Sequence, residues 1–345
     1  MTPARASADL IAPVLGGDRR ALARLITRVE NRAPDALEAL ARLHPHTGRA
    51  TLIGVTGAPG TGKSTLVNAL ALALRQRGQT VGIVAVDPTS PFSGGAVLGD
   101  RVRMTDLAGD GGVFIRSMAS RGSLGGLAAA TGDVARVLDA AGFAVVLIET
   151  VGAGQSEVDI ARMAHTTVVV DAPGLGDDVQ AIKAGILEIA DILVVNKADR
   201  PGAQNTVRAL RAMLELGHRL RNTGHHGAGL LPAPPESLTA DTWTVPVIET
   251  VATEHTGIAD VLAALDQHRA HLHSSGEIAG RERQRVEAEL LARLREALLA
   301  RLLAVHDPAT LAETVRRVVA RELDPASAVR ALVAAACGDG NASPG

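Results

Sequence analysis

The chain has 345 residues, 46% hydrophobic and 1% aromatic, with no Tyr, one Trp and a formal charge of −2. That length holds one large α/β domain with appendages, and its core must be built from Leu, Val, Ile and Ala. The near-neutral balance, without a Lys/Arg block interleaved with aromatics, argues against nucleic-acid binding as the main task. Cys337 is the only cysteine, which excludes an internal disulfide and a Cys-rich metal site and suits a reducing cytosol. It lies in an Ala-rich run that reads as a buried helix position.

The N-terminal segment has no long apolar region and reads as no signal peptide. No apolar stretch reaches the roughly 18 residues a spanning helix needs. The expectation is a cytoplasmic protein without a membrane contact.

Residues 8–43 carry helical periodicity at Leu22, Leu25, Ile26 and Val29, then at Leu37, Leu40 and Leu43, with Pro34 opening a second helix. His44 to Gly48 (HPHTG) reads as a linker. From about residue 51 to 265, apolar runs alternate with helical patterns: Leu52–Val55, Val81–Val86, Phe143–Ile148, Thr166–Val170, Ile192–Val195 and Val245–Ile248. Near-continuous β-branched runs between helices indicate a mostly parallel sheet covered on both faces, a three-layer α/β/α architecture.

The first run leads into Gly57, Ala58, Pro59, Gly60, Thr61, Gly62, Lys63 and Ser64, then Thr65. This fits G-x-x-x-x-G-K-[ST], the phosphate-binding loop of nucleoside triphosphatases, with a strand before and a helix after. The glycines let the backbone turn its N–H groups onto phosphate oxygens, and the helix adds its positive end. Lys63 is placed for the β- and γ-phosphates, and Ser64 for Mg²⁺.

Asp87 ends the second run, beside this loop, where a carboxylate can hold Mg²⁺ or its waters. Downstream, Asp100 sits in a Gly-flanked segment suited to ordering around the γ-phosphate. Arg101 and Arg103 could carry charge to the transition state or pair with surface carboxylates. Glu149 ends the next run, at the metal-side carboxylate position, and the backbone N–H of Gly152 is placed for the γ-phosphate. Most regulatory G proteins have Asp rather than Glu there, and a water-orienting Gln directly after the glycine. Here that residue is Ala153 and the nearest Gln is Gln155, so weak intrinsic hydrolysis is expected.

Asn196, Lys197, Ala198 and Asp199 follow a later run and match N-K-x-D, the guanine-reading motif. The Asp carboxylate accepts from guanine N1–H and the 2-amino group, which adenine cannot supply, and a buried acceptor left unpaired is costly. Lys197 lies its aliphatic stem along the base.

Residues 218–244 are rich in Gly, Pro and polar residues and read as a long surface loop. Residues 277–305 read as one helix with Val286, Leu290, Leu294, Leu298 and Leu302 on a stripe. A further helical stretch spans about 308–337, with Pro325 opening its last helix. The Leu stripe reads as a dimerisation surface or as packing on the chain's own domain. The domains are then 1–48, a helical extension; 49–270, the nucleotide-binding domain; and 271–345, a C-terminal helical region.

The GAPGTGKST loop, the VDPTSPFSGGAVLGDRVRM run, ETVGAGQSE at 149–157 and PGLGDDVQAIKAGILEIADILVVNKAD together resemble the MeaB family (MMAA in animals, often labelled ArgK in bacteria). The likeness covers residues 16 to about 265. It implies a P-loop GTPase that uses GTP/GDP and Mg²⁺ as a chaperone of an adenosylcobalamin-dependent acyl-CoA mutase, above all methylmalonyl-CoA mutase. Such a protein gates cofactor loading and protects the mutase. By the same resemblance Ser64, Asp87, Asp100 and Glu149 surround Mg²⁺. Residues 172–183 form an added segment, switch III, with Asp177, Gln180 and Lys183 as its polar candidates for coupling to the mutase. The family's base loop usually carries Ser-Ala where this chain has Val251-Ala252, and by the resemblance the backbone N–H of Ala252 meets the guanine oxygen.

Three other readings stay open. A GTPase that inserts nickel or cobalt needs soft or imidazole ligands near the nucleotide, and the histidines cluster instead at His44/His46, His225/His226 and His268/His271/His273. A transport-linked ATPase or kinase of the ArgK sense would read adenine. A non-catalytic scaffold would leave the phosphate loop without purpose.

Overall fold

The computed structural model describes residues 3–88, 105–107, 109–120, 124–150, 163–174, 189–221 and 243–338. The chain divides into two compact units, 1–285 and 286–345.

Among the described residues of the first unit, seven parallel strands form one sheet in the order β3-β2-β4-β1-β5-β6-β7. They are β1 (Thr51–Thr56), β2 (Val81–Pro88), β3 (Val113–Ser120), β4 (Val145–Thr150), β5 (Thr166–Asp171), β6 (Ile192–Asn196) and β7 (Val247–Thr250). Buried on both faces, the central strands carry Val and Ile with little alternation. Six of the seven match runs read from the sequence. The exception is β3, an edge strand whose run is broken by the half-buried Arg116 and Ser117. Arg116 is there for a reason: its Nε donates to Glu30 Oε2 at 3.0 Å and ties the edge to the N-terminal helices.

Strand parity sorts the core into layers. Leu52, Val84, Val86, Val146 and Ile148 face one way, into a cluster with Leu25, Ile26, Val134 and Leu138. That layer is built from α1 (Pro3–Leu15), α2 (Arg19–Glu30), α3 (Ala36–Leu43) and α5 (Leu124–Ala140). Ile53, Val55, Ile83, Leu147, Val168 and Val194 face the other way, onto α4 (Lys63–Gln76) and α7 (Ile258–Ser274). A smaller cluster joins Val169, Leu193 and Val195 to Val207 and Leu210 of α6 (Ala203–Arg221). The result is an α/β/α sandwich.

The N-terminal extension is three helices rather than two, and α3 starts at Ala36 rather than at Pro34. Its closing contact is Asp35, 1% exposed in its side chain, which accepts from Arg28 at 2.7 Å and from Ser7 N at 3.0 Å. Burial alone would push the Asp35 carboxyl up, but the Arg28 guanidinium and Ser7 outweigh it and hold its pKa at about 2. The 44–48 linker is fixed as well: the Asp139 carboxylate accepts the backbone N–H groups of Gly48, Arg49 and Ala50 at 2.6, 3.2 and 2.9 Å. Helix α6 runs on to Arg221, so the segment expected to be loop from 218 begins as helix; residues 222–242 lie outside the described residues.

The second unit continues α8 (Glu277–Val305) into α9 (Pro308–Val319) and α10 (Pro325–Gly338), as the periodicity and Pro325 indicate. Cys337 falls on α10, but its side chain lies outside the described residues. Among the described residues no helix is long and apolar enough to cross a membrane.

Candidate functional site

The phosphate loop opens where β1 ends, at the centre of the sheet. Gly57 has φ 142°, and a Cβ there would overlap the Val170 carbonyl of β5. Gly62 has φ 90°, and a Cβ would lie 2.5 Å from Asn196 Nδ2. Both positions therefore require glycine, for backbone conformation and for close approach. Gly62 caps α4, whose first residues are Lys63, Ser64 and Thr65, so the unpaired N–H groups of that helix start in the loop.

Lys63 is 6% exposed, and its Nζ donates to the carbonyls of Gly57 at 2.8 Å and Ala58 at 2.9 Å. Its ammonium spans the inside of the loop. The Thr61 hydroxyl closes the turn by donating to Ala58 O at 2.9 Å. Ser64 Oγ donates to Glu149 Oε1 at 2.6 Å. A hydroxyl and a carboxylate thus converge at the N-terminus of α4, both hard oxygen donors. That pair fits Mg²⁺, which takes one or two protein oxygens and fills its octahedron with water and phosphate.

Asn196 joins the two halves of the site. It is 2% exposed. Its Nδ2 donates to Thr61 O at 2.9 Å, while its Oδ1 accepts from the Thr250 hydroxyl and from Ala252 N, each at 3.1 Å. Lys197 adopts φ 58° and lays its Nζ on Gly60 O at 2.6 Å. Ala198 N donates to Thr250 O at 3.0 Å. The phosphate loop, the N-K-x-D turn and the loop after β7 are thereby one hydrogen-bonded body. Asp199 follows on the exposed side of the turn. The Ala252 N–H, offered in the sequence reading to a base oxygen, donates here to Asn196. Thr250 belongs to no sequence motif; its signal in the sequence is only its place at the end of a strand, two residues before Ala252.

Asp87 is the last residue but one of β2, in register with Ala119 of β3; its side chain lies outside the described residues, as do Asp100, Arg101, Arg103, Gly152, Ala153, Gln155, Asp177, Gln180 and Lys183.

The histidines on α7 have another use than the metal chemistry considered for them. His268 is fully buried, with Nδ1 2.8 Å from the Thr166 hydroxyl and Nε2 3.3 Å from Asp191 Oδ1. Arg281 of α8 clasps the same carboxylate at 2.7 and 2.9 Å, and Thr167 N donates to it at 2.8 Å. Trp243 donates its indole N–H to Asp191 O at 2.8 Å and lies with its ring 4.8 Å from His268 and 5.5 Å from His271. Burial pushes the Asp191 carboxyl up, but His268 and Arg281 together bring it below the usual range. This cluster sits at the opposite end of β6 from Asn196. Among the described residues no group of three or more His, Cys, Asp or Glu side chains could hold a metal ion.

Comparison with known proteins agrees with this geometry. The family model described as methylmalonyl Co-A mutase-associated GTPase MeaB matches residues 22–307. A protein of Pyrococcus abyssi named as a GTPase is 46% identical over 333 residues, 96% of this chain and 97% of its own. GTPase ArgK of Escherichia coli is 34% identical over 330 residues, 94% of this chain and 95% of its own. The crystal structure of a LAO/AO transport system kinase superposes with a TM-score of 0.67 at 28% identity, covering 96% of this chain and 98% of that one. The phosphate loop at the sheet's centre, bound through Asn196 to a guanine-type turn, thus sits in a chain whose likeness to GTPases runs nearly end to end: it belongs to the MeaB family of GTPases.

Proposed function

We propose that the protein is a Mg²⁺-dependent, guanine-selective GTPase of the cytoplasm that acts as a chaperone of an adenosylcobalamin-dependent acyl-CoA mutase, methylmalonyl-CoA mutase in the first place. The observation that supports the reading is the Asn196 junction, which hydrogen-bonds the N-K-x-D turn to the phosphate-loop segment and to the loop after β7. The family description supplies the mutase.

On binding GTP, the Lys63 ammonium exchanges the Gly57 and Ala58 carbonyls for β- and γ-phosphate oxygens, and the α4 N–H groups meet the phosphates. Ser64 and Glu149 would hold Mg²⁺, with Asp87 and Asp100 completing the set. When bound, the ion offsets charge on the phosphate oxygens as the terminal group departs. Asp199 accepts from the guanine edge, and Lys197 covers the base. Gly152 and Asp100 sense the γ-phosphate, and residues 149–183 relay its presence to the mutase through Asp177, Gln180 and Lys183 by ordering of the loops. GTP binding and hydrolysis would gate cofactor loading.

The protein acts as a homodimer in this reading. Val286, Leu290, Leu294 and Leu298 are each more than half exposed along one helix, which supports a second copy of this chain as the partner of that stripe. The test is titration of the protein into purified methylmalonyl-CoA mutase with GDP or a non-hydrolysable GTP analogue. Nucleotide-dependent complex formation supports the proposal; no complex in either state refutes the partner.

A further inference from the structure

β1 and β4 run side by side, with Val55 opposite Glu149. The next pair along the two strands is Thr56 and Thr150, both at the strand ends and both 0% exposed. The Thr150 hydroxyl donates to Thr56 Oγ1 at 2.9 Å. Each threonine is bonded directly to a residue of the site. Thr56 precedes Gly57, whose carbonyl accepts Lys63. Thr150 follows Glu149, whose carboxylate accepts Ser64. On its other side the end of β1 is pinched against β5, where Gly57 meets the Val170 backbone. The two hydroxyls also follow mostly apolar runs, Leu-Ile-Gly-Val before Thr56 and Val-Val-Leu-Ile-Glu before Thr150. Valine is close to threonine in shape but lacks the hydroxyl, and a buried hydroxyl is costly unless it is hydrogen-bonded, so the pairing and not the shape sets these two residues apart.

We propose that Thr56 and Thr150 are positioning residues: their hydroxyl pair holds the end of β4 at a fixed distance from the phosphate loop and so sets Glu149 against Ser64 for the metal. The proposal rests on the Mg²⁺-dependent GTPase reading. Neither threonine touches nucleotide or metal; both act through Glu149 and Gly57.

The test uses Thr150→Val, Thr56→Val, the double variant and Thr150→Ser in the full chain. Affinity for a fluorescent GDP analogue is measured with Mg²⁺ and with EDTA, beside the melting midpoint. Single valines leave one buried hydroxyl unpaired and lower the midpoint, whereas the double variant removes both partners and regains it. The proposal expects the Mg²⁺-dependent gain in affinity to fall about tenfold in Thr150→Val and to stay lost in the double variant, the scale seen when groups that orient a metal ligand are removed. Affinity in EDTA is unchanged, and Thr150→Ser behaves as the parent. A double variant that regains the Mg²⁺ gain together with its midpoint shows a core pair only and overturns the proposal. A parent with no Mg²⁺ gain at all overturns the metal reading, and the clamp with it.

Discussion

Replacing Asn196 with alanine tests the junction between base loop and phosphate loop. Three hydrogen bonds disappear: to Thr61 O, and from the Thr250 hydroxyl and Ala252 N. At about 1 kcal/mol net each, the loss is about 3 kcal/mol. Thr61 is 0% and Ala252 4% exposed, so water replaces little of what is lost. Urea melts of the nucleotide-free protein read the effect. Asn196→Asp separates the contributions, because it keeps the acceptor for Thr250 and Ala252 but sets a carboxylate oxygen against the Thr61 carbonyl. The alanine variant should lose about 3 kcal/mol, and the aspartate variant should lose stability while protecting the Ala252 amide from hydrogen exchange. A loss under about 1 kcal/mol in the alanine variant, with that amide's exchange unchanged, would refute the junction.

Asp191→Ala takes the carboxylate from Arg281, which keeps only the His165 carbonyl, and should destabilise the first unit by about 3 kcal/mol; Trp243, the single tryptophan, reports it directly by fluorescence. An unfolding midpoint equal to the parent's would show the cluster to be ornamental. Asp35 has a folded pKa of about 2, below its ordinary 3.8. Its stabilisation is therefore complete above pH ~4 and is lost as the pH falls through the interval toward 2. Asp35→Asn should flatten that part of the acid limb, and an unchanged limb contradicts the assignment. Asp199→Asn should weaken GTP binding and shift preference toward xanthine nucleotides, because the amide reverses one donor–acceptor relation; retained GTP affinity contradicts base reading by this residue.

What was legible in the sequence was what is local. The phosphate loop, N-K-x-D and six strands are contiguous runs whose period or punctuation reports their surroundings. The β3 strand was missed because an edge strand tolerates Arg116, and the reason for Arg116 is Glu30, far away in sequence. The Asp191 cluster was illegible for the same reason: it gathers Thr166, Asp191, Trp243, His268 and Arg281 from separate elements, and no spacing announces it. The clustering of His268 and His271 in the sequence says nothing of their partners: the fold gives His268 to a buried carboxylate and Trp243 to both rings. Ser64 Oγ donates to Glu149 Oε1, while Asp100, Gly152 and the switch residues lie outside the described residues; the roles of all of them at the nucleotide stand as proposals.

The most direct test of the central claim is turnover of GTP against ATP with Mg²⁺, with and without methylmalonyl-CoA mutase. The account predicts slow hydrolysis selective for GTP and accelerated by the mutase. Hydrolysis that prefers ATP would contradict the reading of Asn196, Lys197 and Asp199, and with it the function built on them.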